Sequence, residues 1–273
     1  MKNVDKNLSG IANKVRRLII EIACKSKSAH VGSALSCVDI LTTIYFQALK
    51  IDKKSWAKRD IFVLSKAHAA MALYAVLAVK GIISKKMLDG YFQNNGTLPA
   101  HLDRFAAKGI EVSAGALGHG FNMALGMAYG YKLKKDIRKI YALIGDGESQ
   151  EGSIWEGAMF GAKLGLDNIT VIMDYNNLQG YGRPRDICYF EPIKDKWRAF
   201  GWTVYAVDGH NFSEIKAAFQ KPHNKKPKIV IAVTTKGKDV GFMEDEMKWH
   251  YFIVTDELRK KAMQCLCKTD KLK

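Results

Sequence analysis

Apolar residues recur three and four positions apart over residues 11–24, 35–49 and 69–80, the spacing that lines one face of a helix. The pattern breaks between residues 90 and 120, where Gly, Asn, Pro and His take over, and connections of that length in a compact chain usually carry function. Beyond it the chain alternates. Residues 121–133 predict a helix, 140–144 an apolar strand, 153–164 a helix and 169–174 a strand. After an irregular stretch come a strand at 203–207, a helix at 213–220 and a strand at 228–234. Residues 251–273 read as a short amphipathic helix with a basic tail. Apolar strands in turn with helices mean crossover units, so the expected fold class is α/β: a mostly parallel sheet flanked by helices. Residues 1–255 are expected to form that domain, with 256–273 appended to it. In such sheets ligands collect beyond the carboxyl ends of the strands, which points to the residues just past Ile144, Met173 and Thr234.

Composition removes several classes. Of 273 residues 48% are hydrophobic and 26% charged, too apolar a balance for a disordered chain. The longest apolar run, 71–79, falls short of the ~18–20 residues of a membrane span. Residues 1–9 are polar, with no secretory core, so a soluble cytoplasmic protein without a membrane partner is expected. Forty-three Lys+Arg against 27 Asp+Glu give +16, but the lysines are scattered and build no basic helix. That reads as a solvated surface, and no nucleic-acid partner is expected. Five cysteines (Cys24, Cys37, Cys188, Cys265, Cys267) have no metal-binding spacing and read as reduced thiols.

The candidate chemistry sits at two strand ends. Residues 140–144 run into Gly145-Asp146-Gly147-Glu148, and the next strand runs into Asp174-Tyr175-Asn176-Asn177-Leu178. Adjacent parallel strands lie ~4.8 Å apart, so Asp146 and Asn176 can converge on one point. A carboxylate plus an amide oxygen is a hard-oxygen half-shell that suits Mg²⁺ and leaves positions for phosphate and water. Gly-Asp-Gly alone serves equally well as a turn, and Asn176 as a helix cap. Their pairing across one intervening helix makes a metal-bridged diphosphate the more specific reading.

That pairing resembles the thiamine diphosphate signature, and the run from Gly145 to Glu156 looks like transketolase. Ala29-His30-Val31-Gly32-Ser33, Leu64-Ser65-Lys66-Ala67-His68 and Pro99-Ala100-His101 resemble its three histidine motifs. Residues 114–120 resemble its glycine-rich diphosphate loop; Lys236-Gly237-Lys238 and Trp249-His250 resemble its closing segment. The resemblance implies thiamine diphosphate with Mg²⁺, or another divalent cation such as Ca²⁺ or Mn²⁺. It implies metal ligation by Asp146, Asn176 and the Leu178 carbonyl, with diphosphate oxygens and a water completing the shell. It implies cofactor contacts from Ser33, His68, Gly147, Glu151, His250 and the backbone of Gly115, Ala116 and Leu117, with Lys66 and Lys236 as electrostatic partners. His30 and His250 would act near the donor's C3 hydroxyl and His101 near the transferred two-carbon unit. Glu151 and Glu156 would face a subunit interface. His119 on the glycine loop is open between the two readings, His210 reads as a turn residue, and His223 as solvent-facing.

The match covers roughly residues 10–255 and only the N-terminal half of a transketolase. It therefore implies a separate C-terminal subunit carrying the pyrimidine-binding and C-terminal domains, in an α2β2 assembly acting on small sugars. The implied activity is transfer of a two-carbon ketol unit from a ketose to an aldose. Three positions depart from the family pattern: Ala67 and Tyr251 stand where glycine is common, and Leu102 where proline is common. The alternatives are the alpha subunit of a 2-oxoacid dehydrogenase, which shares the Gly-Asp-Gly and Asn pairing, and a non-catalytic relic that keeps the metal site.

Overall fold

The computed structural model describes residues 2–52 and 55–272. Helix α1 (Lys2–Ser26) is followed by α2 (Val31–Ser36), α3 (Val38–Thr43) and a π-helical turn at Ile44–Ala48, then strand β1 (Ile61–Leu64). Helices α4 (Ala70–Val79) and α5 (Lys85–Asp89) lead into the long loop, and α6 (His119–Leu133) leads out of it. There follow β2 (Ile140–Gly145), α7 (Gly152–Lys163), β3 (Ile169–Tyr175), α8 (Pro184–Ile187), α9 (Ile193–Ala199) and β4 (Thr203–Asp208). Helix α10 (Phe212–Gln220), β5 (Lys228–Val233) and α11 (Asp256–Leu272) complete the chain.

The five strands form one sheet in the order β1-β2-β3-β5-β4, every pair parallel. That order fixes the layers. Right-handed crossovers that advance across the sheet place their helices on one face, and a crossover that doubles back places its helix on the other. The advancing connections carry α6, α7 and α9, bound together by an aromatic cluster of Phe121, Trp155, Trp197 and Trp202. The Trp202 indole N–H donates to Ala158 O of α7 at 2.8 Å. The returning connection from β4 to β5 carries α10, which packs with α1 and α3 on the opposite face. All carboxyl ends point the same way, so the loops after β1, β2, β3 and β5 share one rim.

Strand β1 and helices α8 and α9 escape the hydrophobic pattern. All four residues of β1 are buried, too short a run to show any period. The helix expected at 35–49 begins earlier and breaks at Cys37. The Cys37 thiol donates to Ser33 O and Ala34 O (3.5 Å each), competing for carbonyls a continuous helix would use. Every residue of α2 and α3 is buried, so no polar face marks their ends. Helix α11 is longer than the short helix expected and docks on α1, where Asn13 donates to Leu266 O at 2.9 Å and Ala262 and Leu266 are buried. Residue 273, the end of the expected basic tail, lies outside the described residues.

Candidate active site

The floor of the rim is a buried ion pair. Lys66, two residues past β1, is 1% exposed, and Asp174, near the end of β3, is 0% exposed. The Lys66 ammonium donates to Asp174 Oδ2 (2.5 Å) and to Ser33 O (3.1 Å). Asp174 also accepts from the Ser36 hydroxyl (2.6 Å), the Asn176 amide (3.3 Å) and the Thr234 hydroxyl. Burial alone would raise the Asp174 carboxyl; Lys66 and the donors outweigh it and hold it below the usual carboxylate range. The tips of β1, β3 and β5 and helix α2 are thus tied to one carboxylate.

Above this floor lies a cleft of about 280 Å³ lined by Asp146, Gly147, Asn176, Leu178, Gly115, Leu117 and four histidines. Asp146 leaves β2 directly beside β3: Oδ1 accepts from Gly147 N–H (2.8 Å) and Oδ2 from Asn177 N–H (2.5 Å). Burial, followed by the nearby Asp174, pushes its carboxyl up to about 6. Asn176 Oδ1 accepts from Leu178 N–H at 3.1 Å, and Leu178 O accepts from the Lys236 ammonium at 2.8 Å. A carboxylate held in an environment that disfavours its charge, with an amide oxygen and a carbonyl facing the same cleft, fits a hard divalent cation. Among the described residues no group of three His, Cys, Asp or Glu side chains forms a metal site.

The four histidines come from four separate segments and meet at one wall. Ring centroids of His30 lie 5.0 Å from His250, 5.3 Å from His68 and 6.1 Å from His101. His30 has a left-handed backbone (φ 70°), unusual outside glycine, and is pinned there by its N–H donating to His250 O at 2.9 Å. Burial lowers His30 to about 4, with His101, Lys236 and Lys66 adding to the effect. Burial lowers His250 to about 3, with Lys236 next in weight, and His68 well below its ordinary value. All three rings are therefore neutral at pH 7, each offering one N–H and one lone pair. The Lys236 ammonium sits 2.9 Å from His250 Nδ1, which makes Nδ1 the acceptor and leaves the proton on Nε2. Burial lowers that lysine to about 8.

The glycine loop reaches the cleft through a carboxylate that sequence reasoning does not single out. Glu148 is buried and accepts from Gly118 N–H (2.9 Å), Gly145 N–H (3.0 Å) and the Ser65 hydroxyl (2.5 Å), joining the loop to the ends of β1 and β2. Gly118 opens α6 with φ 80°, and a Cβ on Gly120 would come 2.7 Å from Ser65 Cα, so α6 starts hard against β1. An antiparallel bridge between Leu102 and Ala114 folds the long loop back and brings His101 against Gly115.

Of the residues expected at the site, His30, Ser33, Lys66, His68, His101, Gly115, Leu117, Asp146, Gly147, Asn176, Leu178 and His250 line the cleft. Lys236 is fully buried behind the wall, between Leu178 and His250. Ala116, Glu151, Glu156 and His119 are exposed outside the cleft lining. His210 lies in the turn after β4, where its Nδ1 faces Asp39 (2.8 Å) and its Nε2 accepts from Thr235 N–H (2.9 Å). A larger cleft, about 410 Å³, opens at the amino end of the sheet. Its buried Lys228 donates to Ala218 O (3.1 Å), Phe219 O (2.7 Å) and Lys221 O (3.2 Å), closing the end of α10.

The sequence profile of the family described as "Transketolase, thiamine diphosphate binding domain" matches residues 8–262. The chain is 41% identical over 257 residues to an apulose-4-phosphate transketolase subunit from Phocaeicola vulgatus, covering 93% of this chain and 91% of that protein. It is 41% identical over 256 residues to the 6-deoxy-6-sulfo-D-fructose transketolase subunit SqwG of a Clostridium species, covering 92% and 93%. The crystal structure of transketolase from Campylobacter jejuni superposes with a TM-score of 0.88 at 32% identity, over 95% of this chain and 42% of that one. The chain thus spans less than half the length of that solved structure.

Proposed function

The chain belongs to the transketolase family, within its thiamine diphosphate-binding domain, and on that premise we propose that it is the cofactor-binding subunit of a two-chain transketolase. It transfers a two-carbon ketol unit from a ketose, phosphorylated or similarly charged, to an aldose. The observation that carries the proposal is the meeting of Asp146 and Asn176 at adjacent strand tips beside the wall of four histidines. Relatives of nearly the same length carry the name of transketolase subunits, which supports a separate partner chain. Neither of these relatives favours a 2-oxoacid dehydrogenase or a relic.

In this reading Asp146, Asn176 and Leu178 O hold Mg²⁺ or a similar divalent cation, and His68, Gly147 and the backbone of residues 115–117 hold the diphosphate. When bound, thiamine diphosphate supplies the carbon nucleophile and the sink for negative charge. The residues of this chain handle protons and orientation. His250, with Nδ1 engaged by Lys236, presents Nε2–H to a sugar hydroxyl. His30, fixed by its backbone bond to His250, offers its free lone pair to the hydroxyl whose proton must leave as the C2–C3 bond breaks. His101 steadies the transferred unit. Lys66 and Lys236 act from below the cleft, one committed to Asp174 and the other to Leu178 and His250.

At the cleft mouth Tyr181 is 84% exposed, and Phe252, beside the lining residue Tyr251, is 56% exposed. Exposed aromatic side chains at that place support a protein partner over the cleft mouth. We extend the proposal to an α2β2 assembly in the cytoplasm; among the described residues no helix is long and apolar enough to cross a membrane. The test is reconstitution. The chain mixed with its partner subunit, thiamine diphosphate and Mg²⁺ is expected to transfer a two-carbon unit between sugars, and the chain alone is not. Full transfer by the chain alone, or decarboxylation of 2-oxoacids with no ketol transfer by the pair, would overturn this function.

A further inference from the structure

The turn after β3 and the segment after β5 are fastened together across the mouth of the cleft. Gln179 N–H donates to Gly182 O at 2.9 Å, closing a tight turn with Gly180 and Tyr181 at its tip. Arg183 leaves that turn and grips Asp245 of the facing segment with two hydrogen bonds, 3.2 and 2.7 Å. Tyr251 reaches the same tip. Its ring stands 4.6 Å from His250 and 6.2 Å from His30 between centroids. A Cβ on Gly180 would come 2.5 Å from the Tyr251 hydroxyl oxygen, so the turn is shaped to fit that phenol. Two segments about seventy residues apart in sequence are built around one side chain, beside the histidines yet 53% exposed.

We propose that Tyr251, seated against Gly180, is a specificity-determining residue that selects sugars by the length of chain extending outward past the histidines. The inference rests on the ketol-transfer reading of this cleft and names its selectivity. The transferred unit occupies the histidine wall, so the remainder of a ketose, or an incoming aldose, lies toward the mouth and meets the phenol. A ring there removes volume that a longer chain would need. Short chains stop before it. Long chains have to displace the Tyr251 ring from its seat against Gly180.

The experiment compares wild type, Tyr251→Gly and Tyr251→Phe in the reconstituted complex holding thiamine diphosphate and Mg²⁺. For each, kcat/KM is measured with sedoheptulose 7-phosphate and with hydroxypyruvate, whose chain ends just beyond the transferred unit. Affinity for D-ribose 5-phosphate, which has no donor to react with, is measured by calorimetry. Tyr251→Gly is expected to raise the ratio of long to short donor about tenfold and tighten D-ribose 5-phosphate by a similar factor. Tyr251→Phe, which keeps the bulk, is expected to stay near wild type. An unchanged ratio and unchanged affinity in Tyr251→Gly overturn the inference. A wild-type complex that uses no donor contradicts the ketol-transfer reading instead, and the calorimetric comparison then decides the role of Tyr251 by itself.

Discussion

Lys66 and Asp174 show what one buried pair can do at the tips of several strands. Neither charge reaches water: each faces the other, Ser36 of α2 and Thr234 just past β5 donate to the carboxylate, and Ser33 O accepts from the ammonium. Replacing Asp174 by Asn leaves the ammonium without its counter-charge and is expected to cost about 3–5 kcal/mol, read by urea denaturation. Pairing it with Lys66→Met is expected to recover most of that loss, and a double variant as unstable as the single one would count against the pair. The histidines make a pH prediction. Unfolded, His30 and His250 take up protons near 6.5; folded, they resist until about 4 and about 3. Through that window the unfolded chain binds more protons, so stability rises with pH and is lost as pH falls, by about 1.4 kcal/mol per pH unit for each ring. Asp146, raised to about 6, opposes this with one proton. Denaturation at both ends of the window is expected to show a shallower slope for His250→Asn than for wild type; parallel slopes would refute the assignment. Asp146, Asn176 and the histidines were legible because each stands in a short run whose chemistry is local. Asp174 and Glu148 were not, since their partners lie as far as 138 and 83 residues away in sequence.

At the level of elements, the strands from β2 onward announce themselves as apolar runs between turn residues, and α7 and α10 between them by their one-sided spacing, whereas the short α8 and α9 do not. What stayed hidden was hidden for physical reasons. Strand β1 is too short to show a period, and α2 and α3 are buried on every side, so neither presents the polar contrast that marks an end. The start of α6 depends on a close approach that sequence spacing does not reveal. Gly120→Ala would drive a methyl toward Ser65 Cα, so it is expected to cost about 1–3 kcal/mol and to weaken thiamine diphosphate binding by tilting the glycine loop. Gly126 lies in the same helix with nothing within 4 Å of its would-be Cβ. Gly126→Ala is therefore expected to stabilise by about 0.5–1 kcal/mol and leave cofactor binding alone. Thermal denaturation and cofactor titration of the two variants separate helix propensity from packing; equal behaviour would remove the packing argument.

Across the whole molecule, the strand order places every functional loop on one rim, and the reversal at β4 and β5 lets a helix cover each face while that rim stays open. The scattered lysines behind the charge of +16 stand apart from this arrangement, whose charged groups are the buried Lys66–Asp174 and Arg16–Asp39 pairs together with Asp146, Glu148 and Lys236. The architecture serves one purpose: it holds the tips of β2 and β3 side by side. Calorimetric titration of thiamine diphosphate into the chain and its partner subunit, with Mg²⁺ present, tests that purpose directly for wild type and Asp146→Ala. Since burial disfavours the Asp146 charge, its removal is not expected to unfold the chain, and a change in affinity reports binding. Wild type is expected to bind only while Mg²⁺ is present, and Asp146→Ala to bind about a hundredfold more weakly or not at all. Equal affinities for the two proteins, or wild-type binding that survives a chelator, would contradict the account.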